Sequence, residues 1–201
     1  MRRLSAAPAL AGLLLLFAAT PAPASGPGLD DAVLNEINYV RQHPRQYARE
    51  LQRVDAAWRP DNRYAADDPR DVDEAVDFLM RQSPLPPLRR DERLSEAALD
   101  HAVTQGPRGQ LGHTGPRGET LGQRLQRRGM WAGLSAENIS YGYDDPEGVV
   151  RQMIVDRGVP NRSHRLNIFG PGYQAAGVGC ARHSVYGAMC VIDFVGAIVQ
   201  R

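Results

Sequence analysis

The stretch QAAGVGCARHSVYGAMCVIDFVGAIV, residues 174–199, decides the architecture. Gln174–Ala181 and Val185–Val199 both alternate along the chain and are rich in β-branched side chains. Alternation with a period of two marks strands with one face toward a core, so the two runs predict a hairpin of sheet strands. His183 falls at the hairpin tip, between Cys180 and Cys190, and reads as exposed.

Upstream the period changes to that of helices. Leu29–Val54 carries Val33, Leu34, Ile37, Val40, Tyr47, Ala48 and Leu51 on one stripe, with Asp30 and Asp31 near its start and an interruption at His43-Pro44. Residues 55–70 are polar with Pro60 and Pro69, which predicts an extended loop or insertion. Asp71–Gln82 returns to helical spacing, and the run SPLPPL at 83–88 cannot continue it. Leu94–Gln105 predicts a helix with His101 on its inner side. Thr120–Gly129 predicts a short helix with Arg124, Arg127 and Arg128 toward water, and Pro146–Asp156 another with Val149, Val150, Met153 and Ile154 inside. Ser135–Tyr141 reads as a brief turn or strand. Helices flanking a small antiparallel sheet make an α+β sandwich.

Four side chains stand out against this frame: His113 in GHTG (112–115), Glu137 in AENISYG (136–142), and Asp156 and His164 in VDRGVPNRSHRLNIF (155–169). Two imidazoles with acidic partners suit a divalent metal such as zinc, because neutral imidazole ligates and a carboxylate can orient it. The same set suits acid–base chemistry near neutral pH. Each residue also has a plain structural use. Glu137 could fix a loop, Asp156 could pair with Arg157, Arg162 or Arg165, and His164 could bond a carbonyl. Tyr141, Tyr143 and Asn138 adjoin the AENI segment; Tyr141 and Asn138 are taken as lining a cleft, although Asn138 and Asn167 also suit loop backbone. No serine sits in a G-x-S-x-G elbow and no H-E-x-x-H occurs, so hydrolysis has no recognisable nucleophile.

These words, in this order, resemble the CAP superfamily, the fold of cysteine-rich secretory proteins, antigen 5 and plant pathogenesis-related proteins, in its bacterial SCP-like form. LNEINYVRQHPRQYA (34–48) resembles the opening helix, and LSEAALDHAVTQGPRGQLGHTG (94–115) the second helix running into the first histidine. AENI, SHRLNIF, GVGCA and MCVIDFVG complete the pattern, with departures at Ala136, Arg157 and Ser163. The resemblance implies a three-layer α/β/α sandwich with His113 and His164 as ligands of zinc or another divalent cation, and Glu137 and Asp156 as supporting carboxylates. It implies a binding or interaction module for a small hydrophobic ligand or an extracellular partner. The alternative is a metal-assisted peptidase or esterase using the same four residues.

The whole chain bounds the rest. Its 201 residues are enough for one domain with a substantial core, and a net charge of +1 excludes any general attraction to nucleic acid or anionic membrane. All 24 basic residues are Arg. Residues 1–24 read as a signal peptide: Arg2 and Arg3, an apolar run from Leu10 to Ala19, and Ala22-Pro23-Ala24 before Ser25. That leaves residues 25–93 as N-terminal helices and Pro-rich linker, and 94–201 as the core with the four site residues. No later segment is long and apolar enough to span a bilayer, so a secreted or periplasmic monomer is expected. In an oxidising compartment Cys180 and Cys190 favour a disulfide, with two buried thiols as the alternative.

Overall fold

The computed structural model describes residues 28–57 and 68–199. Residues 1–24, expected to be a signal peptide, and 58–67 of the expected 55–70 loop lie outside the described residues, while 55–57 and 69–70 belong to helices.

The hairpin forms from β4 (Ala175–His183) and β5 (Gly187–Val195), paired antiparallel with Cys180 directly opposite Cys190. The two cysteines form a disulfide. Of the turn or strand expected at Ser135–Tyr141, the strand forms: this β3 pairs antiparallel with the other edge of β5 along all 7 of its residues. Two-residue β1 (Arg89–Arg90) adds to β4 in parallel, giving the order β1-β4-β5-β3, so the antiparallel sheet carries one short parallel edge. The chain end leaves the hairpin, and β6 (Ile198–Val199) pairs instead with β2 (Trp131–Ala132).

Period-two alternation sends the two faces of the sheet into different cores. Ala176, Val178, Cys190, Ile192 and Phe194 pack against α1 (Leu29–Gln42), α2 (Pro44–Ala57), α3 (Pro69–Arg81) and α6 (Pro146–Val155). Met189, Val191 and Ile139 face Ala98 and Ala102 of α4 (Glu92–Gln105) on the other side. Leu94, Ala97, Ala175 and Val195 meet Leu125 of α5 (Leu121–Arg127) and Met130. The result is an α+β fold of three layers. His43 ends α1 and separates it from α2, which places the predicted interruption at Pro44 between two helices.

Local chemistry explains the boundaries. Pro69 and Pro146 open their helices, where a missing N–H costs nothing, behind Asp68 and Asp145 caps that accept from Arg70 and Gly148. Thr120 and Gln123 form a reciprocal capping box on α5.

The closest layer contact runs over glycine. A Cβ on Gly177 would lie 2.1 Å from the Ser95 nitrogen, and one on Gly179 would lie 2.1 Å from the Leu99 nitrogen. Helix α4 therefore rests on bare strand backbone, which is the physical content of the GVGCA segment. Gly177→Ala or Gly179→Ala should cost at least about 3 kcal/mol, since rigid backbone must move on both sides. Gly133→Ala, with open space around it, should stay within about 0.5 kcal/mol. Urea denaturation of the three variants checks this, and a Gly177→Ala protein as stable as the parent would contradict it.

Candidate functional site: a cleft with two oriented histidines

His113 sits in the loop after α4, and four side chains pin that loop. The Gly112 N–H donates to the Tyr141 hydroxyl at 2.8 Å, and the Gly112 carbonyl meets His101 Nε2 at 3.1 Å. The His113 carbonyl accepts from Arg124 Nη1 at 3.0 Å and the Thr114 carbonyl from Gln105 Nε2 at 2.6 Å. Gly112 has φ +91°, a conformation that side-chain-bearing residues seldom adopt. With its backbone fixed, His113 places Nδ1 2.9 Å from Glu137 Oε1. The other Glu137 oxygen pairs with Arg124 Nη2.

Arg124 is therefore not turned to water. It is buried beneath the site, so the exposed-face reading of α5 holds at Arg127 but fails at Arg124, where Glu137 and two backbone carbonyls receive the guanidinium. Burial alone would raise the Glu137 carboxyl, but the hydrogen bond from His113 and the charge of Arg124 hold it below its ordinary value. The carboxylate is ionised and has both oxygens engaged.

His164 is held by a different device. Asp156 ends α6 in the left-handed conformation, φ 56°. Its carboxylate turns forward onto the next helix, α7 (Ser163–Ile168), instead of opposing the dipole of its own. Oδ2 accepts from the backbone N–H of His164 at 2.8 Å and of Arg165 at 3.2 Å, while Oδ1 lies 2.8 Å from His164 Nδ1. Buried Arg165 donates to the carbonyls of Ile154 and Val155, and buried Arg41 reaches those of Ile168 and Pro86. Both ends of α7 are thereby tied to the core.

Asn138 is fully buried and does not line the cleft. Its amide donates to the His164 carbonyl at 3.0 Å, and its oxygen accepts from Asn167 at 2.8 Å. Tyr141 and Tyr143 do line the cleft, together with His113, His164, Met153 and Tyr186, around a cavity of about 680 Å³. His183, expected to be exposed, is buried: Nε2 meets the Gln110 carbonyl at 3.1 Å, and Nδ1 accepts from Val185 and Tyr186. It closes the hairpin tip against the loop leading to His113.

Each site histidine thus has Nδ1 on a carboxylate and no hydrogen bond at Nε2 among the described residues. The contact assigns the proton to Nδ1 and leaves the Nε2 lone pair available as a ligand or base. The His113 side chain is 57 % exposed and that of His164 20 %, so both rings are reachable. No group of three or more His, Cys, Asp or Glu side chains is placed to hold a metal among the described residues.

Sequence reading passed over Asp193, an acid inside the apolar run CVIDFV. It is fully buried on β5 directly opposite Glu137, and neither carboxyl oxygen receives a hydrogen bond among the described residues. Burial pushes it well above the ordinary carboxylate range, and the Glu137 charge adds to the effect while Arg124 opposes it. A neutral Asp193 accounts for a buried acid that finds no donor. Because its folded value lies above its unfolded one, the unfolded chain releases this proton as pH rises past about 4 while the folded chain keeps it, so stability falls as pH rises. Asp193→Asn, which cannot ionise, should raise the melting temperature at neutral pH, with the gain shrinking as pH falls toward about 4. Thermal melts across that range check it, and a neutral-pH loss would contradict it.

The chain matches the profile of the cysteine-rich secretory protein family (CAP) over residues 34–194. No curated protein sequence matches it. Among solved structures it is similar to an extracellular SCP-domain protein of Bacillus anthracis, at 26 % identity and TM-score 0.48 over 56 % of this chain and 35 % of that one. It is also similar to an outer surface protein of Borrelia burgdorferi, at 15 % identity and TM-score 0.48 over 81 % and 92 %. A cysteine-rich secretory protein of Staphylococcus aureus shows 15 % identity and TM-score 0.43 over 64 % and 39 %. The chain spans about a third of the Bacillus protein's length. With the family profile covering most of its length, this chain belongs to the cysteine-rich secretory protein family.

Proposed function

We propose that this CAP domain is an exported binding module, not an enzyme. Its cleft takes a divalent cation, with zinc the best match, on Nε2 of His113 and His164, beside an apolar ligand. The observation that carries the reading is the carboxylate behind each ring. Imidazole nitrogens oriented from Nδ1 are the donor type that zinc prefers, and a carboxylate behind a ligating histidine raises its basicity. Two protein ligands leave most of the coordination sphere to water or to a bound molecule, so the affinity is modest. A cation there would supply a Lewis-acidic anchor for an oxygen of the ligand. Tyr141, Tyr143, Ile139 and Met153 offer that ligand an apolar wall. A disulfide and a signal-like N-terminus support a secreted or periplasmic location.

The same geometry disfavours Glu137 as the base of a metal-assisted hydrolysis. A general base must be free to take a proton, and Glu137 has one oxygen on His113 and the other on Arg124.

Zinc calorimetry at neutral pH should give binding that is lost in the His113→Ala, His164→Ala double variant. Glu137→Gln and Asp156→Asn should each weaken it by about 10–100-fold. Equal zinc binding by the double variant would overturn the metal reading. With zinc present, a broad peptide library should emerge intact by mass spectrometry; reproducible cleavage that Glu137→Gln abolishes would promote the hydrolase reading instead.

A further inference from the structure

A second cavity lies on the far side of α6, between α1 and α2, with a volume of about 530 Å³. Three tyrosines wall it: Tyr39 from α1, Tyr47 from α2 and Tyr143 from the turn before α6. Among the described residues, four carboxylates face it (Glu36, Glu50, Asp145 and Glu147) against one guanidinium, Arg151. Glu36 and Glu50 are half-buried, whereas Asp145 and Glu147 are exposed, so the charge forms an inner and an outer tier.

Two groups in the inner tier are left wanting. Tyr47 is only 7 % exposed, yet its hydroxyl makes no hydrogen bond among the described residues. Nothing within the described residues donates to Glu36 or forms an ion pair with it; burial first, then Glu147 and Glu50, push its carboxyl up. The neighbouring Tyr39 hydroxyl, which donates to Glu50 at 2.6 Å, is pushed up to about 12 by burial and by that bond. A site that disfavours its own negative charge gains from a cation that enters it.

The wall is also built to a shape. A Cβ on Gly148 would lie 2.5 Å from the Tyr143 ring, so only glycine lets that ring seat against α6. Tyr39 and Tyr47 meet edge to face, with centroids 6.4 Å apart. Aromatic rings attract organic cations through their electron-rich faces, and carboxylates add charge-assisted hydrogen bonds to ammonium N–H groups. A hydrated inorganic ion gains little from such walls. A phosphate-bearing headgroup is repelled by the surplus of acids.

We propose that this cavity binds an aliphatic diamine or polyamine, one ammonium held by Glu36 and the Tyr47 hydroxyl among the rings and a second by the outer carboxylates. The inference does not rest on the metal reading of the cleft.

Calorimetry on the exported chain tests it, with putrescine and spermidine as probes, butylamine as the single-charge comparator and phosphocholine as the zwitterion. Putrescine should bind about tenfold more tightly than butylamine, and phosphocholine should not bind. Glu36→Gln should weaken putrescine by about tenfold or more, and Tyr47→Phe by several-fold with an unchanged melting temperature, since that hydroxyl makes no bond to lose. His113→Ala should leave putrescine binding as it is, separating this site from the cleft. No putrescine binding, equal affinity for Glu36→Gln, or butylamine as tight as putrescine would each overturn the proposal.

Discussion

One strand sets the geometry of the cleft. Neighbouring residues on a strand point to opposite faces, so Glu137 and Asn138 of β3 deliver one polar group to each side of a buried sheet. Glu137 meets His113 from the loop after α4, and Asn138 meets the carbonyl of His164 on α7. Two histidines 51 positions apart in sequence are thereby referred to adjacent residues of one strand. Everything that fixes β3, chiefly its register with β5 and the packing of β5 between two helical layers, fixes the cleft.

The polar groups beneath the site are costly to bury and are therefore matched closely. Arg124 answers Glu137, Arg165 answers the last carbonyls of α6, and Arg41 answers those at the end of α7. A buried ion pair adds little net stability over apolar packing, but losing one partner strands the other at a cost of about 3–5 kcal/mol. Such a network favours one arrangement of loops over its near alternatives. The match is incomplete at Asp193, as it is at Arg124 Nε and Gln105 Oε1: neither Asp193 oxygen has a hydrogen-bond partner among the described residues, and burial beside the Glu137 charge favours its neutral form.

Much of this was legible in the sequence. The stripes through Val33, Ile37 and Val40, through Val72 and Leu79, and through Val149 and Met153 report helix faces against a core, and all three are buried. The hairpin and the four site residues also stand in the sequence as segments of distinct composition. The failures have a common cause. Arg124 looks like the wet face of an amphipathic helix, and AENISY leaves turn and strand open, because the partners that satisfy them come from other elements. His183 looks like a hairpin tip exposed to water, yet the Gln110 carbonyl reaches it from 73 residues away. Asp156 looks unfavourable at a helix C-terminus, and only the left-handed turn shows that its carboxylate serves the next helix. Local pattern reports burial of apolar groups well; it does not report which distant polar group arrives to meet a buried charge.

Two buried carboxylates fix both imidazoles, with the proton on Nδ1 and the Nε2 lone pair left to the cleft. Long-range nitrogen–proton NMR of the metal-free protein, recorded well above the ordinary imidazole titration range, reads the tautomer of each ring directly. A protonated Nδ1 and an unprotonated Nε2 are expected at both His113 and His164. A protonated Nε2 at either ring, or the averaged signal of a freely exchanging imidazole, would contradict this.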